Sequence, residues 1–163
     1  MKTTKISCQT HSRLHQQSAR QSSVRKSKAA PPSTTTKIPW LRTRRKHGRY
    51  PDYTERAGKW LVFVPHDEVD AVWRIIAEAT EAGNLGSESK VSTAMTGFDG
   101  SPPTKHVICV YTYDWMDVED VRRIRAELRS LGIVTRIPYK TDEDTLAGKY
   151  AETGHKRISK YYE

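Results

Sequence analysis

The chain has 163 residues and a formal charge of +9, with 36% hydrophobic and 29% charged residues, which allows one domain and leaves part of the chain outside a packed core. The charge is local: residues 1–56 carry 14 Lys/Arg against 2 Asp/Glu, and residues 57–163 carry 14 against 17. A basic balance that belongs to the N-terminal part excludes reading the whole domain as a cationic surface, and no apolar run approaches the ~18 residues of a membrane-spanning helix.

Residues 1–49 read as a basic disordered tail, rich in Ser, Thr, Gln, Arg and Lys and broken by Pro31, Pro32 and Pro39. Such a segment buries too little apolar surface to offset the loss of chain entropy. Three readings stand side by side: a plain solvated tail, an organelle transit peptide, and a nuclear signal or phosphate-backbone contact. The transit reading has only Ile6, Leu14 and Val24 for an apolar face, and the last rests on LRTRRKHGRY, residues 41–50, next to Trp40. The tail holds Cys8; with Cys109 as the only other cysteine there is no zinc framework, and a reducing, intracellular location, cytoplasmic or nuclear with import into an organelle as the third option, is expected.

Residues 50–163 read as a single α+β domain. KWLVFV (59–64) is a strand bounded by Pro65. In the next segment Val69, Val72, Trp73, Ile76 and Ala79 recur at spacings of three and four, one face of a helix that Asp67, Glu68 and Asp70 open and Gly83 stops. SKVSTAM (89–95) is a short strand and GFDGSPP (97–103) a loop. The strand around VICVY (107–111) alternates, so Tyr111 and Tyr113 share a face with Cys109, and His106 lies with Ile108 and Val110 on the other. A second amphipathic helix spans 117–132, with Asp117 as its N-cap and Gly132 its stop, and IVTRIPY (133–139) is a strand that Pro138 places at an edge or ends. The order β-α-β-β-α-β predicts an α+β sheet with both helices on one face and the other face open to a ligand. Trp60 and Trp73 are expected in the core. The segment 139–163, with five Lys/Arg and four Tyr but few apolar residues, is either a solvated C-terminus or a surface that grips an anion. No metal and no cofactor are expected, because phosphate-loop and metal-ligand motifs are missing.

The blocks GKWLVFVPHDEVDAVW, SKVSTAM, VICVYTYDW, YKTDEDTLAGKY and SKYYE resemble the family typified by the basophilic-leukemia-expressed protein and its small archaeal relatives, which carry a phosphothreonine-lyase label. The resemblance covers about Tyr50 to Glu163. It implies a curved, mostly antiparallel sheet like that of the messenger-cap-binding translation initiation factor, with helices on the convex side, and β-elimination of phosphate from phosphothreonine. Those lyases carry a Lys and a His, separated by one aromatic residue, at a strand start, and a Tyr, one residue, Lys, Pro, Asp motif. The counterparts here are Lys105-His106, which lacks the aromatic, and Tyr139-Lys140-Thr141-Asp142, which is one residue short and has Thr for Pro. The implied roles are Lys140 as base and His106 as acid, with Lys90, Lys105 and Lys149 holding phosphate and Tyr111, Tyr113, Tyr139 and Tyr150 lining the site. The chemistry asks for a base at the α-proton, a Lys of lowered pKa among other cations, and an acid at the leaving oxygen. The partner would be a phosphorylated protein or peptide. The alternative is a non-enzymatic RNA- or nucleotide-binding module, with RNA also reachable through the tail. For cap binding proper, only Trp115, with Asp114 and Asp117, has a ring beside carboxylates. No membrane partner is implied.

Overall fold

Alternation of large apolar residues with other types along two long strands decides which face of the sheet is buried. The computed structural model describes residues 30–95, 100–149 and 159–163. In chain order the elements are β1 (Trp40–Arg44), β2 (Gly58–Pro65), α1 (Val69–Ala82), β3 (Glu88–Ser92), β4 (Lys105–Thr112), α2 (Val118–Ser130), β5 (Pro138–Thr141), α3 (Asp142–Leu146) and β6 (Tyr161–Tyr162), preceded by a 3-10 turn at Pro32–Thr34. The sheet order is β1-β3-β4-β2-β5-β6, and every neighbouring pair is antiparallel. The expected α+β class with helices on one face is therefore the observed one.

Trp60, Val62 and Val64 of β2 and Ile108 and Val110 of β4 form one core with Trp73 and Ile76 of α1 and Val121, Ile124 and Leu128 of α2. Both helices thus cover the same face, and each fully buried aliphatic or aromatic side chain contributes roughly 1.5–3 kcal/mol. The indole nitrogen of Trp60 donates to the Val121 carbonyl at 3.1 Å, tying the central strand to α2. Trp60 and Trp73 are core residues, as expected.

The helix ends follow the sequence signals. Asp117 accepts from the Asp120 amide at the start of α2. Gly83 takes φ 89° after α1 and its amide reaches Ala79 and Thr80, and a Cβ there would lie 2.3 Å from the His47 carbonyl oxygen. Only glycine combines that backbone with so close a neighbour.

Four sequence expectations change. Residues 1–29 lie outside the described residues, but the tail does not extend to residue 49: Trp40–Arg44 is an edge strand paired with β3 from Trp40↔Ser92 to Arg44↔Glu88. The basic run is therefore partly sheet, and the Arg45 guanidinium caps the carbonyls of Leu85 and Gly86. The expected strand over 133–139 is instead β5 at 138–141, because the fully buried Arg125 side chain takes the carbonyls of Ile133 and Thr135 at 2.8 and 2.7 Å. Pro138 is the first residue of that strand, not a sheet edge, since β5 lies between β2 and β6. The polar C-terminal segment holds α3, whose Thr141 hydroxyl accepts from the Asp144 amide, and β6. Among the described residues no helix is long and apolar enough to cross a membrane.

Gly58 is the tightest point between β2 and β5: a Cβ would lie 2.3 Å from the Tyr139 hydroxyl and 2.6 Å from its ring carbon. Tyr139 is fully buried and its hydroxyl is bonded to Thr112 at 2.6 Å, so the ring has nowhere to go. Gly58→Ala is expected to destabilise the fold by about 1–3 kcal/mol; equilibrium urea unfolding measures it.

Candidate functional site

The face of the sheet turned away from α1 and α2 is assembled by register. Directly opposed residues in an antiparallel pair share a face. Lys59 of β2 stands opposite Tyr111 of β4 on one side and Lys140 of β5 on the other. Lys90 of β3 stands opposite Cys109 of β4 and Arg42 of β1. Alternation within β1 adds Trp40 and Arg44 to this face. The result is a face of cations interleaved with aromatic rings, on which Arg42 and Arg44 are exposed, Trp40, Lys90 and Tyr111 half-buried, and Lys59 and Lys140 buried.

The side-chain geometry follows. The Lys90 ammonium lies 4.4 Å from the Trp40 ring centroid and 5.5 Å from that of Tyr111. Lys59 lies 5.5 Å from the same Tyr111 ring, and Tyr53 meets Tyr111 edge-on at 6.3 Å. Two carboxylates organise the charges: Glu88 binds Arg42 at 2.6 Å and Arg44 at 3.3 Å, and Asp142 binds Lys59 at 2.5 Å. No carboxylate pairs with Lys90 among the described residues. Burial holds its ammonium below the ordinary lysine range, and the nearby Arg42 and Lys59 charges push the same way. Burial pushes the Tyr111 phenol and the Cys109 thiol up, so both are neutral groups on this face.

Of the residues expected in a catalytic site, the fold brings together Lys90, Tyr111 and Lys140. It does not bring His106 to them. His106 stands opposite Val64, on the core face, whereas Lys140 stands opposite Lys59 on the other. His106 is 1% exposed; its Nε2 meets His66 Nδ1 at 2.9 Å and its Nδ1 faces the Ser92 carbonyl at 2.9 Å. The Nδ1 position opposite a carbonyl carries the proton, so in the neutral ring Nε2 accepts from His66. This explains why an apolar strand opens with a histidine: the ring is a fully bonded core residue. Lys105 is exposed beside Pro65, six residues from Tyr111 and so roughly 20 Å along the strand.

The remaining candidates also move. Tyr139 belongs to the core, 5.2 Å from the Trp60 ring. Tyr113 follows β4; its hydroxyl donates to Asp117, and that bond to a carboxylate raises its phenol to about 12. Tyr150 lies outside the described residues. Lys149 pairs with Asp144 at 2.7 Å, which raises the lysine and lowers the carboxyl. It borders a separate cleft of about 340 Å³ with Trp115, Thr141, Glu143, Ser159 and Lys160. There the Lys160 ammonium sits 3.3 Å from the Trp115 ring centroid, so the exposed ring face is already taken by a cation of the same chain. Lys59 does not figure among the expected site residues, and Trp40 and Arg42 figure only in the basic run of the tail, not on a sheet face. The period-two order Trp40-Leu41-Arg42-Thr43-Arg44 was the available signal for Trp40 and Arg42.

The chain belongs to the family of the basophilic leukemia-expressed protein Bles03, whose family model matches residues 2–146. Among solved structures it is similar to C. elegans eIF4E-3, in a complex with the 4E-binding protein Mextli and a cap analog, at 19% identity and a TM-score of 0.45 over 56% of this chain and 54% of that one. It is also similar to Ascaris suum eIF4E-3 bound to an m7G cap, at 16% identity and a TM-score of 0.45 over 66% of this chain and 57% of that one. The chain thus spans little more than half of either neighbour, and the likeness is one of fold.

The loop that carries Trp115 is held by Asp114, which accepts from Arg56 at 2.6 Å and from the Met116 amide at 2.8 Å. The Arg56 bond above all holds this carboxyl down at about 2, against an ordinary 3.8. A depressed carboxyl stabilises the fold above its unfolded value and loses that contribution as pH falls through the folded one. Asp114→Asn is therefore expected to be less stable than wild type at neutral pH and to show a flatter loss of thermal midpoint between pH 3.8 and about 2.

Proposed function

We propose that this protein is a non-enzymatic RNA- or nucleotide-binding module whose ligand lies across the helix-free face of the sheet. The observation that carries the reading is Lys90 held between the Trp40 and Tyr111 rings without a carboxylate partner among the described residues. An ammonium partly removed from water and short of counter-charge is stabilised by an incoming phosphate. The two rings, uncovered as the lysine swings to that phosphate, offer faces on which bases stack. Arg42, Arg44, Lys59 and Lys140 on the same face, against the carboxylates of Glu88 and Asp142, favour an anion over a cation.

β-Elimination by Lys140 and His106 is not supported. Base and acid must touch one substrate, and these two point from opposite faces of the same sheet. Both imidazole nitrogens of His106 are engaged, one with His66 and one with Ser92. A phosphothreonine peptide incubated with the protein is expected to keep its phosphate by mass spectrometry.

The binding test is fluorescence anisotropy with a short single-stranded RNA, in full-length protein and in a variant lacking residues 1–29, which hold seven Lys/Arg and no acid. Trp40→Ala and Tyr111→Ala are each expected to weaken binding by about 1–3 kcal/mol, and Lys90→Ala to lower the salt slope by about 0.7. Because Lys90 is depressed when free, affinity is expected to fall with rising pH before an ordinary lysine would titrate. Binding that ignores all three substitutions and disappears with residues 1–29 overturns the reading in favour of the tail.

A further inference from the structure

The outer edge of β1 presents backbone groups, where the face presents side chains. Among the described residues β1 is the terminal strand on its side of the sheet. Its bonds to the β3 side are made by odd-numbered residues: Thr93 N–H donates to Pro39 O at 3.1 Å and Arg45 N–H to Ser87 O at 2.8 Å. With the register Trp40↔Ser92 to Arg44↔Glu88, alternation then turns the N–H and C=O of Trp40, Arg42 and Arg44 outward, off the sheet. No described residue bonds to them. The side chains of Arg42 and Arg44 are 53% and 81% exposed, and no acidic residue occurs between positions 30 and 51.

We propose that β1 receives an acidic extended peptide of another protein, which adds a seventh strand antiparallel to it and sets Glu or Asp side chains opposite Arg42 and Arg44. The backbone argues for a peptide. The edge offers donors and acceptors in alternation, and another peptide backbone satisfies both, whereas a phosphate chain only accepts and leaves the carbonyls unanswered. The charges argue for an acidic one. A second copy of this chain, paired antiparallel about Arg42, would set Arg42 against Arg42, a like-charge contact that destabilises a sheet pair. A neutral peptide would gain the backbone bonds alone. Arg42 and Arg44 share one carboxylate, Glu88, so the pair is short of one negative charge, which an acidic peptide supplies and a neutral one does not.

The test uses the full chain and a capped seven-residue peptide alternating Glu and Thr, followed by amide hydrogen exchange. Saturating peptide is expected to slow exchange at Trp40, Arg42 and Arg44 by about tenfold or more, and to leave the other amides of the sheet unchanged. N-methylation of the Glu residues, whose amides donate to β1, abolishes the effect; N-methylation of the Thr residues, whose amides point away, leaves it. Arg42→Pro removes one outward N–H without touching the β3 ladder, so it is expected to fold and to lose the peptide. Should that variant not fold, the paired N-methyl peptides decide the matter on wild-type protein. Binding that survives Glu N-methylation, protection confined to other amides, protection of these three by oligouridylate but not by the peptide, or no binding at millimolar peptide each overturns the proposal.

Discussion

The eight-residue antiparallel pairing of β2 with β4, from Gly58↔Thr112 to Pro65↔Lys105, is the constraint from which the rest follows. A slip by one residue would turn Trp60, Val62 and Val64 outward and drive Lys59 toward the helices. Losing three buried apolar side chains at roughly 1.5–3 kcal/mol each is comparable to the whole net stability of a domain this size. The register is therefore pinned by the core. The same pinning sets Lys59, Tyr111 and Lys140 in one row on the free face and sends His106 to the other side. What the protein can bind is in this sense decided by what it must bury.

That relation also explains what could be read without coordinates. β2, β4 and both long helices were legible because their apolar residues recur at the period of the element. Alternation alone already placed His106 and Tyr111 on opposite faces. The missing fact was the neighbour of Lys140, which depends on β5 pairing with β2 and has no local signature. β1 was hidden because only Leu41 and Thr43 turn inward, and Thr43 is held by a hydrogen bond to Glu81 at 2.9 Å, not by apolar contact. Residues 133–137 looked like strand because Ile133, Val134 and Ile137 are β-formers. The competing partner was a buried arginine, and burial of that residue type is a poor wager from sequence.

Placing lysines on a half-buried sheet face has an electrostatic cost that this fold meets unevenly. Opposed ammonium groups such as Lys59 and Lys140 repel, and Asp142 at the start of α3 offsets this by binding Lys59. Glu88 does the same for two arginines. Lys90 is left with the weaker attraction of two ring faces, worth about 0.5–1 kcal/mol each at half-exposed sites. The free protein thus holds a charge in a setting that disfavours it, and the setting improves when an anion arrives. A face whose charges were all internally paired would have no such bias.

The edge and the face meet in the same three residues. In an outer strand, the residues whose backbone groups point off the sheet alternate with those bonded inward, and side chains alternate between faces at the same period. In β1 both alternations coincide on Trp40, Arg42 and Arg44. Their backbones form the free edge while their side chains form the rim of the cationic face. A strand added at the edge would bring its own carboxylates to Arg42 and Arg44 and loosen their hold on Glu88, which stands beside Lys90 in β3. Glu88 would then be free to draw on Lys90, lowering the appetite of the face for phosphate. If both proposed ligands bind, peptide at the edge and nucleotide on the face would therefore be antagonists through one carboxylate, the sign of the coupling following from the release of Glu88.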